Sequence, residues 1–253
     1  MSARAITPTG MADEKVRVMA RLEDEHWWFR AKRDLVADAL ADHGGGPMLD
    51  IGCGTGAMMA RLVADGHFPV LGTDLSPVAV DAARGRGLDV VRSVAEDLPF
   101  RSASAAVLVS LDVVEHLDDD VEALREYRRV LVPGGLMVLT VPAYDWAWSD
   151  HDVALGHRRR YTRTRLSEAV EAAGFAVERV DHFQSWLVPV AYVVRRTPLR
   201  RLVKGDEEEV SQGGPIVNRL LGRVAALERR LGRHRSIPMG LSILLVGRRP
   251  PDR

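Results

Sequence analysis

The sequence has little cysteine and no net charge. Cys53 is the single cysteine among 253 residues, which excludes an intrachain disulfide and a thiolate metal cluster and is typical of a protein in a reducing cytoplasm. Lys plus Arg equals Asp plus Glu at 35 each. No overall field therefore attracts a polyanion, and we expect no nucleic-acid partner.

Long apolar runs are also missing. The longest, WLVPVAYVV from Trp186 to Val194, contains Pro189 and falls well short of the roughly 20 residues that a membrane-spanning helix needs. The N-terminal segment MSARAITPTGMADEKVRV lacks the apolar core of a secretory signal. We therefore expect a cytoplasmic protein with at most peripheral contact with a membrane.

Hydrophobic patterning divides the chain into two parts. Apolar positions spaced by threes and fours predict helical structure from Met11 to about Ala41, and we assign residues 1–43 to an N-terminal helical cap. From residue 44 to 253, short apolar runs alternate with helical stretches, which predicts βαβ units around a parallel sheet. Thr164 is expected to cap a helix that ends near Ala173.

A glycine-rich turn, LDIGCGTGAM, follows the first expected strand. Backbone N–H groups around Gly52, Gly54 and Gly56 would form an anion site that suits either a pyrophosphate or a carboxylate. The spacing fits a dinucleotide such as NAD as well. Asp50 distinguishes between these ligands, because a carboxylate at this turn repels a pyrophosphate and attracts an ammonium. S-adenosylmethionine, which has an ammonium and no phosphate, is therefore favoured.

Two further acids fit a nucleoside ligand. Asp74 closes the second strand, where a carboxylate can accept both ribose hydroxyls, a feature that NAD sites share. In AEDLPF, Asp97 can accept from an adenine amino group while Leu98 supplies an apolar wall. A turn residue without a ligand is the alternative interpretation of Asp97.

Taken in order, LDIGCGTG, Asp74, AEDLPF, LVSLDVVEHL and RRVLVPGGLMVLTVP resemble the class I S-adenosylmethionine-dependent methyltransferases, in their small-molecule, methyltransferase type 11-like branch. The resemblance implies an α/β, Rossmann-like sheet of seven strands in the order 3-2-1-4-5-7-6, with the last strand antiparallel. It places the methionine part of the cofactor on Asp50, Gly52 and Gly54. Further contacts implied for the ribose, the adenine and the methionine side involve Asp74, Leu75, Asp97, Leu98, Ser110 and Leu111.

Methyl transfer from a sulfonium is an in-line displacement, so the protein chiefly positions acceptor, methyl and sulfur. An oxygen or nitrogen acceptor must also lose a proton, for which a histidine with a pKa near neutrality is suited. We predict His116, just after the fourth strand, as this base, with His151 and His157 as alternatives. A capping or packing role is the other interpretation of His116.

A metal is not expected. Asp112, Glu115 and His116 form a DxxEH cluster that resembles the ExxEH of metal-dependent RNA 2′-O-methyltransferases. This chain carries Asp at the first position and lacks the RNA-binding surroundings of those enzymes.

The segment AYDWAWSDHDVALGHRRRYT leaves the fifth strand at the edge where open α/β sheets bind ligands. We expect residues 144–162 to form an acceptor loop or lid, unless its aromatic residues only pack the segment on the core. Candidate acceptor contacts from this loop and from the cap are Trp27, Trp28, Tyr144, Trp146, Trp148, Arg160 and Tyr161.

The function predicted is transfer of a methyl group from S-adenosylmethionine to an O or N of a small metabolite in specialised biosynthesis. An insertion at 185–235 combines basic runs with an amphipathic helix over 216–231, which also suits an anionic membrane or a lipid-linked acceptor. A homodimer contact or a cover over the sheet is the alternative. A non-catalytic module that binds S-adenosylmethionine remains a rival, whereas Asp50 disfavours an NAD-dependent oxidoreductase.

Overall fold

The computed structural model describes residues 13–41, 43, 45–196, 214–233 and 235–252. These residues form a seven-stranded sheet in the order β3-β2-β1-β4-β5-β7-β6, and β7 runs antiparallel to both of its neighbours. The predicted strand order is therefore confirmed. The strands are β1 (Met48–Ile51), β2 (Val70–Asp74), β3 (Asp89–Arg92), β4 (Ala105–Leu111), β5 (Leu131–Pro142), β6 (Ala176–Phe183) and β7 (Ser242–Arg248).

Helices cover both faces of this sheet. Short 3-10 turns follow β4, β5 and β6 at Val114–His116, Asp145–Ala147 and Ser185–Leu187. None of the helices described is long and apolar enough to cross a membrane. The α-helices are α1 (Asp13–Leu22), α2 (Trp27–Leu40), α3 (Ala57–Ala64), α4 (Pro77–Gly85), α5 (Asp120–Val130), α6 (Asp150–Leu155), α7 (Arg163–Ala172), α8 (Val188–Arg196) and α9 (Pro215–Gly232).

Two helix starts differ from the sequence pattern. The helical cap is broken between α1 and α2, where the His26 side chain accepts the N–H of Trp28 and begins α2. Thr162 caps α7 by accepting the N–H of Arg165 at 3.2 Å, so the predicted cap at Thr164 is wrong. Thr164 lies inside the first turn of α7, whereas Thr162 has the extended backbone that a capping residue requires.

The core has two layers because successive strand residues point to opposite faces. Leu49 and Ile51 of β1 pack in a cluster with Tyr127 of α5. Met48 lies in the other cluster, with Leu40 of α2 among its members. Burial of each such side chain stabilises the fold by roughly 1.5–3 kcal/mol.

Parallel pairing brings the ends of β1, β2, β4 and β5 to one edge of the sheet. The glycine turn leaves β1 there, and the 3-10 turns at 114–116 and 145–147 follow β4 and β5. The candidate site is built on this edge.

Candidate functional site

The glycine turn has one open position between two crowded ones. Gly52, Gly54 and Gly56 have φ angles of 70°, 55° and 87°, in the left-handed region that glycine adopts without strain. A Cβ would collide with Val113 at Gly52 and with Leu88 at Gly56, but would meet nothing within 4 Å at Gly54. The outer glycines are therefore required by packing, while Gly54 faces space that a ligand can enter.

Asp50 lies on β1 just before this turn and is only 2% exposed. Its Oδ2 atom has no hydrogen-bond partner among the described residues. Burial raises the pKa of Asp50 to about 7, and the nearby carboxylates of Asp74 and Glu23 add to this shift. A cationic group placed here would stabilise the ionised form, so the site fits the ammonium of S-adenosylmethionine.

Asp74 is fixed at the end of β2 by backbone donors. Its Oδ2 accepts the N–H of Gly54 at 2.9 Å, and its Oδ1 accepts the N–H of Ser76 at 2.8 Å. Burial nevertheless raises its pKa. Leu75 follows directly and is half-buried.

The other predicted cofactor residues lie further along the same edge or behind it. Asp97 is exposed, whereas Leu98 is buried and its N–H donates to Glu126 Oε1 at 2.8 Å. The hydroxyl of Ser110 is buried, 3.2 Å from the Tyr127 hydroxyl. Leu111 is half-buried where β4 ends.

The cap contributes two charged side chains that sequence reasoning missed. Glu23 accepts from the Thr55 hydroxyl in the glycine turn and pairs with Arg86 at 2.6 Å. Lys32 is buried and its ammonium donates to Asp112 Oδ2, just beyond β4. The two hydrogen-bonded pairs are separated by 32 and 80 positions in the chain, so no local spacing could reveal them.

Asp112 is held as a carboxylate. It has a left-handed backbone, with φ of 55°, and accepts the Thr140 hydroxyl at 2.9 Å. Burial acts to raise the pKa of Asp112, but the Lys32 ammonium and the Thr140 hydroxyl outweigh it and hold the pKa below its usual value.

Three side chains meet beside Asp112. Glu115 is 0% exposed, and burial, with Asp112 adding, raises its pKa well above the usual range. The Nε2 atom of His157 lies 4.0 Å from Glu115 Oε1. The ring of His116 lies 4.7 Å from that of His157, and burial lowers the pKa of His116 to about 4, with His157 adding to the shift.

A buried ion pair anchors the loop that carries His157. Arg160 donates two hydrogen bonds to Asp152, at 2.8 and 2.9 Å, and a third to the Ala143 carbonyl. Asp152 also accepts from Nδ1 of His157 at 2.8 Å. Burial would raise the pKa of Asp152, but the hydrogen bonds from His157 and Arg160 hold it well below its usual value.

Tyr161 and His151, both predicted site residues, lie in contrasting places. Tyr161 is buried, with its hydroxyl 2.5 Å from Asp120 Oδ2 and the Arg165 guanidinium over its ring. His151 is exposed on α6. The structure thus brings His157 to His116 and places His151 outside the described His116–His157 contact.

The predicted aromatic residues form two groups. Tyr144 stacks on Trp146, with ring centroids 5.8 Å apart, and on His182 at 5.2 Å. Trp148, in the same loop, is exposed.

On the cap, Trp27 is buried against Trp186 with ring centroids 5.2 Å apart, and its backbone N–H donates to Asn218 Oδ1. Trp28 is half-buried, with the Lys32 ammonium 5.9 Å from its ring centroid. Trp28 is therefore the cap aromatic that lies close to the Lys32–Asp112 pair.

Comparison with known proteins defines the class. Residues 49–139 match the family model described as a methyltransferase domain, and the sheet has the strand order of class I methyltransferases. Residues 49–139 therefore form a methyltransferase domain on a sheet of the class I methyltransferase fold, and the cofactor of this class is S-adenosylmethionine.

Individual relatives are more distant. A probable S-adenosylmethionine-dependent methyltransferase of Mycolicibacterium smegmatis is 34% identical over 167 residues, which are 64% of each chain. A ubiquinone biosynthesis O-methyltransferase of Cereibacter sphaeroides is 40% identical over 100 residues, 36% of this chain and 39% of that protein. The chain thus spans less than two thirds of the curated relatives it matches.

A solved structure extends the likeness over almost the whole chain. The methyltransferase chain in a complex with the Haloferax volcanii Trm112 methyltransferase activator has a TM-score of 0.63 and 22% identity, over 95% of both chains. At this identity the likeness establishes the fold.

Proposed function

We propose that this chain transfers the methyl group of S-adenosylmethionine to an oxygen or nitrogen of a small metabolite. The observation that carries the proposal is Asp50, a buried acid whose Oδ2 atom has no hydrogen-bond partner in the described residues, beside the open position at Gly54. An ammonium bound there would offset the desolvation that raises the pKa of Asp50. The methionine end of the cofactor supplies that ammonium.

The remaining cofactor contacts follow the edge of the sheet. Asp74 accepts one backbone N–H on each oxygen, and since a carboxylate has about four acceptor positions, it retains capacity for two ribose hydroxyls. Leu75 and Leu98 would flank the adenine, and Asp97 would accept its amino group. We assign Ser110 and Leu111 to the methionine side.

The acceptor half would lie around the end of β4 and the loop 144–162. His157 offers an imidazole that can take the proton lost by the acceptor, and Asp152 orients its ring, as a third group orients the base in many active sites. Burial lowers the pKa of His116 to about 4, so His116 is a weaker base than expected from the sequence. The Tyr144–Trp146 stack, Trp148 and Trp28 would supply apolar contacts. Trp27, Arg160 and Tyr161 would support this half from their buried positions.

Calorimetric titration with S-adenosylmethionine, S-adenosylhomocysteine and NAD tests the cofactor site. We expect the two sulfur ligands to bind and NAD to leave the signal unchanged. Asp74→Ala should weaken binding at least tenfold, because it removes two hydrogen bonds to a charged acceptor, each worth about 1.5–3 kcal/mol. Asp81→Ala, at an exposed position of α4, is the control; binding of NAD alone would overturn the assignment.

Turnover needs a separate readout, since cofactor binding does not prove transfer. Incubation of the enzyme and methyl-labelled S-adenosylmethionine with metabolite fractions, followed by mass spectrometry, should give a labelled product. Intact cofactor binding without any labelled product would favour the rival function, a non-catalytic module that binds S-adenosylmethionine.

A second candidate concerns where the acceptor is located. Helix α9 exposes large apolar side chains on the face opposite to α2; Ile216 is 81% exposed. The face toward α2 is polar or small instead: Asn218 bonds Trp27 and Arg229 bonds Asp38. The exposed apolar residues of α9 are Ile216, Val217, Leu220, Leu227 and Leu231.

We infer that this exposed face of α9 contacts an anionic lipid surface and gives access to a lipid-linked acceptor. Arg219, Arg223 and Arg230 are exposed beside the apolar residues, an arrangement typical of helices that lie in the membrane interface. Basic residues near such a surface contribute about 1 kcal/mol each. The basic run at Arg200, Arg201 and Lys204, part of the sequence argument, lies outside the described residues.

Vesicle co-sedimentation tests this surface. We expect binding to vesicles rich in phosphatidylglycerol, little binding to phosphatidylcholine, and loss of binding in the double variant Leu220→Ser, Leu227→Ser. Arg125→Glu, at an exposed position of α5, should bind like the wild type. A concentration-dependent dimer that the same double variant dissociates, without vesicle binding, would assign the face to a second copy of the chain.

A further inference from the structure

The acceptor half contains a second buried acid for which the described residues provide no partner. Glu115 is 0% exposed, and within the part of the chain that the structure describes neither of its carboxylate oxygens has a hydrogen-bond partner. The other acids near it are paired: Lys32 bonds Asp112, and Arg160 bonds Asp152. Glu115 therefore differs from its neighbours in lacking a cation.

The imidazoles of His116 and His157 each have an unprotonated nitrogen that can accept a bond near the Glu115 carboxylate. Nδ1 of His157 lies 2.8 Å from Oδ1 of Asp152, a carboxylate that also pairs with Arg160; Nδ1 is therefore the protonated nitrogen and Nε2 is not. The ring of His116 hydrogen-bonds to the backbone of Gly156, which assigns its proton in the same way. The second nitrogen of each ring is then free to accept.

With these protonation states, the side chains of Glu115, His116 and His157 bring hydrogen-bond acceptors together without a donor between them. One atom each from Glu115, His116 and His157 lies within 4.8 Å of the other two. Histidines that bind metals almost always donate their other N–H to a carboxylate or a backbone carbonyl, and both imidazoles here meet that condition.

The distances suit a cation better than a proton. Nε2 of His157 and Oε1 of Glu115 are 4.0 Å apart, too far for a hydrogen bond between them. Two bonds of about 2.1 Å that meet at a tetrahedral angle span about 3.4 Å. A shift of about 0.6 Å would bring this pair to that separation, and two atoms at the cluster's limit of 4.8 Å would have to approach by about 1.4 Å.

We propose that Glu115, His116 and His157 bind one divalent transition-metal ion. Two imidazoles and one carboxylate suit Zn²⁺ and its neighbours, and leave an open coordination position. Mg²⁺ and Ca²⁺ prefer oxygen ligands and would bind weakly. This proposal revises the expectation, drawn from the Asp in DxxEH, that the chain binds no metal.

The position of the ion gives it a role that rests on the proposed function. An imidazole bound to a metal cannot also take up a proton, so the ion would replace the histidines as the group that prepares the acceptor. It would do so by lowering the pKa of an acceptor hydroxyl bound at the open position, which would release its proton to solvent water; the acceptor oxygen would then bond to the methyl carbon as the methyl–sulfur bond breaks, leaving S-adenosylhomocysteine.

Metal titration of the chelator-treated protein tests the site without any substrate. We expect one Zn²⁺ or Co²⁺ per chain, with a Co²⁺ ligand-field spectrum of nitrogen and oxygen ligands, and no competition from Mg²⁺ at equal concentration. Glu115→Gln and His157→Asn should each weaken Co²⁺ binding at least tenfold. His67→Asn, before β2 at the opposite edge of the sheet, should leave binding unchanged and so controls for surface histidines.

Two results would overturn the proposal: the absence of stoichiometric Co²⁺ or Zn²⁺ binding by the folded wild type, or unchanged affinity in Glu115→Gln. The wild-type measurement decides even if a variant fails to fold. Calorimetry with S-adenosylhomocysteine on the same samples separates the two proposals, because a chain that binds the cofactor product but no metal leaves the proposed function intact.

Discussion

Asp50 and Glu115 are both buried acids without described partners, yet they lie in regions of different construction. Asp50 lies on β1 next to a turn whose glycines, Gly52 to Gly56, are close to it in sequence. The groups around Glu115 and the neighbouring Asp112 come from four separate places: Lys32, Thr140, His157 and the 3-10 turn itself. A ligand site formed by one turn can be recognised in a sequence, whereas a site formed by converging segments requires the fold.

The two regions also differ in how charge is balanced. The cofactor half of the site is the region around Asp50 and the glycine turn. The main electrostatic neighbours of Asp50 are the carboxylates of Asp74 and Glu23, so this half has an excess of negative charge that a cationic ligand would offset. In the acceptor half, Asp112 and Asp152 have buried cations of their own. The cofactor half therefore depends on its ligand for neutrality, and the acceptor half depends on its internal pairs.

The largest effect expected is on the stability of the acceptor half. Arg160→Ala removes the cation from a buried pair and leaves Asp152 uncompensated, which costs about 3–5 kcal/mol in such cases. Urea unfolding should show this loss. Arg158→Ala, which breaks an exposed pair with Asp118, should cost at most about 1 kcal/mol. Equal losses would contradict the dependence of the acceptor half on its buried ion pairs.

In the cofactor half, Asp50→Asn should instead stabilise the ligand-free protein at neutral pH. The folded state keeps a proton on Asp50 up to a pKa of about 7, whereas the unfolded chain releases it near pH 4. The folded state therefore binds more protons in this window, and the stability of the ligand-free protein falls as pH rises from 4 to 7.

For about three pKa units the decrease is roughly 4 kcal/mol. Urea unfolding at pH 4.5 and 7.5 should show a smaller decrease in Asp50→Asn than in the wild type. The same variant should bind S-adenosylmethionine at least tenfold more weakly, because it loses the charge that holds the ammonium. Asp65→Asn, an exposed acid, is the control. A variant that is less stable at pH 7.5 than the wild type would contradict this account.

Two glycine variants separate packing from ligand contact within the cofactor half. Gly52→Ala combines a left-handed backbone with a collision against Val113, which should cost about 2–4 kcal/mol of stability. Gly54→Ala meets only the backbone strain of about 1–2 kcal/mol, but its Cβ enters the space proposed for the cofactor. Thermal unfolding and calorimetry should therefore rank the two variants in opposite orders.

The smallest loss of stability is expected at the start of α7, which lies outside both halves of the site. Thr162→Ala removes the cap of α7 and should cost about 1 kcal/mol. Thr164→Ala, inside the first turn, should change the free energy of unfolding by less than about 0.5 kcal/mol. A larger loss at Thr164 would restore the helix start expected from the sequence.

The sequence predicted the parts of the molecule that depend on neighbours in the chain. The alternation of short apolar runs with helices predicted a parallel sheet, and the family resemblance implied the order of its strands. Asp50 and Asp74 could be selected because each has a fixed place relative to a strand end. Their assigned contacts with the cofactor stay predictions, to be tested by the variants described above.

The rest depended on distant contacts. Arg160 was selected for its place in an aromatic, basic loop, but only the fold shows its two hydrogen bonds with Asp152. Lys32 looked like one more polar residue of a helix, because its partner Asp112 is 80 positions away. His26 interrupts a helical periodicity that continues on both sides of it, so the pattern alone could not show where α2 begins.

The bond between Lys32 and Asp112 bears on how this protein could be divided or recombined. A fragment that starts at residue 44 would lose both Lys32 and the Glu23 contact with Thr55, and would expose Asp112 without its counter-ion. The cap is thus not an autonomous module that can be exchanged between related chains. Chimeras would have to transfer Lys32 together with a matching acid after β4.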